Sequence, residues 1–182
     1  QAWYAGQEGG TAIADVLFGD YNPCGKLPVT FYKSSDQLPD YESYSMRGRT
    51  YRYFNEPLFA FGYGMSYTQF EIGKAEVKPD GDGFVITVPV SNKGQRSGTE
   101  IVQVYLRDLS DNDGPLKSLR GFKRVEVKPG TTVQAEIKLP RESFEFFDAS
   151  TNTMRIKSGR YEMMYGNSSL DSCLKTEILL LD

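Results

Sequence analysis

Histidine is absent from this 182-residue sequence, and cysteine occurs only twice. Without an imidazole the chain has no Ser-His-Asp or Cys-His catalytic arrangement and no histidine-ligated zinc. Cys24 and Cys173 are too few for a disulfide scaffold or a four-cysteine metal site. The sequence does not determine whether these two cysteines form a disulfide. We favour two independent thiols.

Long apolar runs and an excess of basic charge are also lacking. No stretch of about 18 apolar residues occurs, so we predict no membrane-spanning helix. Lysine and arginine number 21 against 24 acidic residues, a formal charge of −3, which argues against a nucleic-acid partner. The chain starts at Gln1 without a visible leader, and we expect it to be a piece of a longer protein.

Glycine, proline and aromatic residues are plentiful, and together they indicate a mainly β fold. From 131 to 139 apolar and polar residues alternate strictly, which predicts a half-buried antiparallel strand. Weaker alternation predicts further strands at 70–77, 84–90, 101–107, 122–127, 159–165 and 175–181. About seven strands in some 115 residues predict an immunoglobulin-like or fibronectin-III-like β-sandwich.

The first part of the chain has a different composition. Residues 11–18 show helical spacing and end at Gly19, which suits a left-handed helix cap. A turn at 22–25 and a strand at 27–32 follow, and then a polar, aromatic stretch. We therefore predict that 1–56 is the C-terminal remnant of an α/β sandwich domain. Residues 57–67 form a packed aromatic and glycine-rich connector, and 68–182 form the β-sandwich.

Several motifs in order resemble glycoside hydrolase family 3. They are WYAGQEGG at 3–10, ADVLFG at 14–19, NPCGKLP at 22–28, YRYF at 51–54, PLFAFGYGMSYT at 57–68, LRGFKRV at 119–125 and VKPG at 127–130. The first three resemble the end of that family's second catalytic domain. YRYF and PLFAFGYGMSYT resemble the passage into its third domain, and the last two motifs resemble that fibronectin-III-like domain itself. Ala5 and Ala60 stand where the family usually has proline, and Cys24 stands where it usually has serine.

The resemblance implies a retaining exo-β-glycosidase, a β-glucosidase or β-xylosidase acting on plant-type β-linked oligosaccharides without cofactor or metal. The family's nucleophile comes from a first (β/α)₈ domain and its acid/base from the second, and neither motif occurs here. We therefore expect an accessory C-terminal portion, inactive alone, whose partner is the missing N-terminal catalytic part. The family also implies a periplasmic or secreted location.

Carboxylates form two clusters, Asp36/Asp40/Glu42 and Glu142/Glu145/Asp148. Both lie in polar, loop-like segments where solvated side chains are the default, so we assign no catalytic residue. A calcium loop at 108–114 fails because Leu109 and Arg120 would occupy its first and twelfth positions. Asn167-Ser168-Ser169 has the form of a glycosylation sequon, but the sequence favours a plain turn.

Five aromatic residues are candidates for a substrate entrance or for packing between domains: Trp3, Tyr4, Tyr44, Tyr51 and Tyr53. Packing is the favoured role. The alternatives to bracing are a carbohydrate-binding module and a protein-interaction domain that forms a homodimer. In the sandwich, phenylalanine and tyrosine lie mostly beside apolar residues, which predicts core positions and ranks sugar binding below bracing.

Overall fold

A computed structural model describes residues 1–148 and 150–182. The helices are α1 (Gly9–Phe18) and the single turn α2 (Thr50–Tyr53), with 3₁₀ turns at Ser35–Gln37, Arg141–Phe144 and Asp171–Cys173. The strands are β1 (Phe70–Ile72), β2 (Glu76–Asp80), β3 (Gly83–Asn92), β4 (Gly98–Asp108), β5 (Ser118–Val127), β6 (Thr132–Leu139), β7 (Glu145–Asp148), β8 (Thr153–Ile156), β9 (Gly159–Gly166) and β10 (Leu174–Leu181). None of the helices described is both long enough and apolar enough to span a bilayer.

Two four-stranded antiparallel sheets form a sandwich. In the first, β3 pairs with β6 along one edge and with β1 and β2, one after the other, along the opposite edge. The second has the order β10-β9-β4-β5. This confirms the predicted mainly β sandwich.

The alternation in β6 places its apolar residues in the core as predicted. Ala135, Ile137 and Leu139 are buried, while the residues between them are exposed. Val88 of β3 and Val104 of β4 contribute fully buried side chains to the same cluster from the two sheets. The core therefore lies between the sheets and is closed by the sandwich itself.

Helix α1 ends where the sequence predicts and starts two residues earlier. Gly19 takes φ +87°, the left-handed conformation in which a side chain would be strained, and its N–H donates to the Val16 carbonyl. No residue of α1 is buried. The helix therefore forms without a core beneath it in this chain.

The strand predicted at 27–32 is wrong. The segment bends at Pro28 and Val29, and one β-bridge, between Phe31 and Phe59, is all that it forms in the described structure. Leu27 and Phe31 each exchange backbone hydrogen bonds with the connector, at donor–acceptor distances of 2.7–2.9 Å. Pro28 has no N–H to donate, so the ladder between these two points is interrupted.

The single strand predicted at 70–77 is also wrong, because Gly73 divides it into β1 and β2. The Gly73 N–H donates to the Pro89 carbonyl at 2.8 Å. A Cβ on Gly73 would lie 2.5 Å from Cγ of Pro89. The close approach of these two backbones therefore requires glycine and ends β1.

Residues 141–148 differ from the predicted solvated loop. A 3₁₀ turn is followed by β7, which pairs with β8 in a hairpin. Phe144 is buried against Phe84 and Tyr161, which fixes the start of the hairpin on the sandwich. Phe146 and Phe147 are exposed, so the expectation that sandwich aromatics lie in the core fails for these two.

Candidate functional site

The outer face of β4 is covered by the segment that precedes the sandwich. Even-numbered Val102, Val104 and Leu106 face the core, yet Gln103 and Tyr105 between them are buried as well. A strand buried on both sides must have a layer packed on each. Residues 51–63 supply the second layer.

Tyr51 is the aromatic centre of this contact. Its ring stacks on Phe61 with centroids 4.2 Å apart and meets Tyr105 edge-on at 5.8 Å. Its hydroxyl accepts a hydrogen bond from the Leu119 N–H at 3.1 Å. Burial raises the pKa of Tyr105, and the nearby Tyr51 raises it further. The contact thus excludes water from β4 while satisfying a backbone donor of β5.

Gln103 is the polar centre of the same contact. Its amide nitrogen donates to the carbonyls of Gly62 and Asn167 at 3.1 and 2.8 Å. Gly62 has φ +77°, and a Cβ there would collide with the Gln103 side chain. The connector therefore needs glycine at this position for both conformation and space.

A buried ion pair joins the start of the chain to the sandwich. Nζ of Lys26 lies 2.7 Å from the Glu100 carboxylate, with side chains 13% and 7% exposed. Asn22 adds a second link, since its side chain accepts from the Tyr67 N–H and donates to the Ser97 carbonyl. Residues 1–67 are thereby fixed to the sandwich at several separate points.

A cavity of about 600 Å³ opens beside this junction. Its lining comes from four segments: residues 51–53, the loop 111–115, residues 118–120 at the start of β5, and the hairpin residues 145–147 with Met154. Thr50, which leads into the first of these segments, has φ +54°. A β-branched residue in this conformation is strained by about 1–3 kcal/mol, so the surrounding contacts must hold it.

Charged groups of both signs line the cavity. Arg120 donates to the Glu145 carbonyl at 3.0 Å; burial lowers the pKa of Arg120, and the charge of Arg52 lowers it further. Arg52 has its guanidinium carbon 5.8 Å from the Tyr53 ring centroid. Nε of Arg52 is buried and has no acceptor among the residues described.

The structure separates the five predicted aromatic residues. Tyr51 and Tyr53 line the cavity, whereas Trp3, Tyr4 and Tyr44 lie outside it and are exposed. These five residues are therefore not assembled as one cluster within this chain.

Sequence reasoning missed the cavity residues Phe146, Phe147, Met154 and Arg120. Adjacent phenylalanines break the period-two pattern, so the hairpin gave no strand signal. Arg120 lies in the LRGFKRV motif, which resembles a family pattern but contains no signal for a binding site.

Other candidate sites have ordinary surroundings. Asp108 is the half-buried last residue of β4, and its carboxylate accepts bonds from Ser110 and Lys157. Asn167 is partly buried and bonded to Glu100, and the two serines of its sequon are buried. The two cysteines do not pair. Among the described residues no group of three metal-ligating side chains is placed to hold an ion.

Residues 1–67 carry most of the exposed apolar side chains. Only Ala60 and Gly62 are buried in this part. Fifteen of the 23 exposed large apolar residues fall here, although this part is little more than a third of the chain. We call these fifteen the N-terminal apolar surface: Trp3, Tyr4, Ile13, Leu17, Phe18, Tyr21, Val29, Leu38, Tyr41, Tyr44, Met46, Leu58, Phe59, Met65 and Tyr67.

Comparisons with known proteins assign the two parts of the chain to different family models. Residues 1–67 match the model of the glycosyl hydrolase family 3 C-terminal domain, and residues 100–169 match that of the fibronectin type III-like domain. A xylan 1,4-beta-xylosidase of Xylanibacter ruminicola is 63% identical over 177 residues, covering 96% of this chain and 21% of that protein. A periplasmic beta-glucosidase of Salmonella typhimurium is 38% identical, covering 90% and 26%.

The solved structures that the chain resembles are also β-glucosidases. The beta-glucosidase of Kluyveromyces marxianus in complex with glucose superposes with a TM-score of 0.89 at 33% identity, covering 100% of this chain and 24% of that one. DesR, a beta-glucosidase from Streptomyces venezuelae, gives 0.88 at 30%, covering 99% and 26%. The chain thus spans about a quarter of the length of the relatives that it matches. It belongs to glycoside hydrolase family 3 and corresponds to the C-terminal region of that family's β-glucosidases and xylosidases.

Proposed function

We propose that this chain is the accessory C-terminal portion of a retaining exo-β-glycosidase, a β-glucosidase or β-xylosidase, and that it braces the catalytic domains. The observation that carries the proposal is the N-terminal apolar surface, which belongs to a segment with almost no buried residues of its own. An exposed apolar surface of this extent marks a contact with another protein part. The partner is the N-terminal catalytic part, since the matching relatives are about four times longer.

The division of the chain follows from the same reasoning. Residues 1–56 are the C-terminal remnant of the α/β sandwich domain. Residues 57–67 connect that domain to the β-sandwich, which residues 68–182 form. The contacts of Tyr51, Phe61 and Gln103 support a connector that transmits the position of the sandwich rigidly, because they pack it onto β4.

The reaction's carboxylates lie, in this proposal, outside the chain. Retention requires a pair of carboxyl groups about 5–5.5 Å apart, one of them with a raised pKa as general acid. In the cluster Glu142/Glu145/Asp148 the hydrogen bonds from Ser150 lower the pKa of Asp148, which is opposite to what an acid needs. In the other cluster Asp40 accepts the Glu42 N–H in an exposed turn.

The substrate and the compartment follow from the relatives. A β-linked oligosaccharide would bind through the catalytic part, with neither metal nor cofactor required by the reaction of paired carboxyls. A location outside the cytoplasm, in the periplasm or secreted, is supported by the relative named as a periplasmic enzyme.

A chimera tests the bracing role. This chain replaces the matching segment of the Xylanibacter ruminicola relative, and hydrolysis of an aryl β-xyloside is measured. We expect activity within about tenfold of that relative, whereas the 182-residue chain alone should hydrolyse no aryl glycoside. A soluble, folded chimera without activity would contradict the proposal.

Paired variants locate the bracing surface. Leu17→Asp with Phe18→Asp places charges on the N-terminal apolar surface, where burying them is costly. We expect at least a tenfold loss of chimera activity. Ile178→Asp with Leu180→Asp makes the same change at exposed positions of β10 and should leave activity within about twofold. Equal effects of the two pairs would show that the N-terminal surface has no special role.

A further inference from the structure

We infer that the cavity between residues 51–53, the start of β5 and the β7–β8 hairpin is a binding site for a neutral β-linked oligosaccharide. The choice of a β-linked ligand rests on the proposed function, whereas the location of the site rests on the cavity and its lining. The inference assigns a ligand class to groups that the bracing contact leaves unused.

The size and lining of the cavity suit a small polar ligand with flat apolar faces. A volume of about 600 Å³ lies within the 300–1,000 Å³ usual for ligand sites. Phe146 and Phe147 line it while remaining 40% and 59% exposed, and Tyr53 lines it from the other side. Aromatic rings left exposed beside polar groups provide surfaces on which the C–H faces of a sugar ring can pack.

The charges favour a neutral polyol over an ion. Arg47 pairs with Asp113 at the rim. Of the remaining charged residues lining the cavity, Arg52 and Arg120 are balanced by Asp111 and Glu145. A cavity without net charge gives little preference to an anion or a cation. A lining that contains both guanidinium donors and carboxylate acceptors suits hydroxyl groups, each of which donates and accepts.

One donor of a residue that lines the cavity lacks a partner. Nε of Arg52 is buried with no acceptor among the described residues, although its backbone carbonyl is held by the Leu116 N–H at 2.7 Å. A buried N–H without an acceptor costs about 1–3 kcal/mol.

Titration by NMR tests the inference on the full 182-residue chain labelled with ¹⁵N. The probes are xylotriose and cellotriose, each raised to about 10 mM, which detects dissociation constants in the millimolar range. We expect shifts confined to residues 51–53, 118–120 and 145–147. An absence of shifts with both probes, or shifts spread evenly over the chain, would overturn the inference.

A matched pair of variants sharpens the test. Phe147→Ala removes a cavity ring and should weaken binding about fivefold to tenfold. Phe122→Ala removes a ring that is equally exposed, on β5 outside the cavity, and should leave the affinity unchanged. Equal affinities of these two variants would overturn the site. Tighter binding of a trisaccharide that carries glucuronic acid would overturn the neutral ligand class, since the arginines would then be selecting an anion.

Discussion

The two parts of this chain use apolar side chains in opposite ways. From residue 70 onward the sandwich buries them between two sheets, and its centre is closed to solvent. In residues 1–67 every apolar side chain except that of Ala60 is half-buried or exposed, and α1 has no buried residue at all. The sandwich therefore closes its own core, whereas residues 1–67 pack on the sandwich on one side and, in our proposal, on the catalytic part on the other.

The largest difference should appear on truncating leucines. Leu139 is fully buried and Leu17 is 74% exposed. Leu139→Ala should lower the free energy of unfolding by about 2–5 kcal/mol, because it leaves a cavity in the core. Leu17→Ala should change it by less than about 0.5 kcal/mol in the isolated chain. Urea denaturation followed by circular dichroism measures both, and equal losses would contradict the comparison.

The next effect concerns the link between the two parts. Lys26→Met leaves the Glu100 carboxylate buried without its cation, which should cost about 3 kcal/mol. Adding Glu100→Gln removes that charge and should restore a good part of the loss. Thermal unfolding of the two variants measures the coupling. A double variant less stable than the single one would show that the pair is not the link.

A smaller effect is expected at the aromatic contact. Tyr51→Phe keeps the stack on Phe61 but removes the acceptor of the Leu119 N–H, at a cost of about 1 kcal/mol. Tyr44 is fully exposed, so Tyr44→Phe is the matched control and should be neutral. A neutral Tyr51→Phe would mean that this hydrogen bond does not hold the connector.

Periodicity predicted much of the sandwich and little of the junction. The alternation in β6 and the glycine after α1 were sufficient because both signals are local. The contacts of Tyr51 with Leu119 and of Lys26 with Glu100 join residues far apart in sequence, and no spacing rule reports such pairs. The hairpin escaped prediction because Phe146 and Phe147 are adjacent and both exposed, which matches neither a strand nor a helix period.

The smallest effect lies at the end of that hairpin. Hydrogen bonds from Ser150 hold the pKa of Asp148 below its usual value, and Ser150→Ala, which removes the hydroxyl bond, should raise it toward that usual value. Since the folded-state pKa is the lower one, the stabilisation is present above the unfolded pKa and is lost as the pH falls through the folded pKa. Carboxyl-detected NMR titration measures the shift; an unchanged pKa in the variant would show that Ser150 is not its cause.

Hydrogen–deuterium exchange tests the central claim most directly, on the isolated chain and on the chimera with the catalytic part of the Xylanibacter ruminicola relative. We expect α1 and the connector to gain protection of at least tenfold in the chimera, while β3, β4 and β6 keep the protection that they have alone. Unchanged exchange in residues 1–67, in a chimera shown to be folded, would contradict the claim that this surface is completed by the catalytic domains.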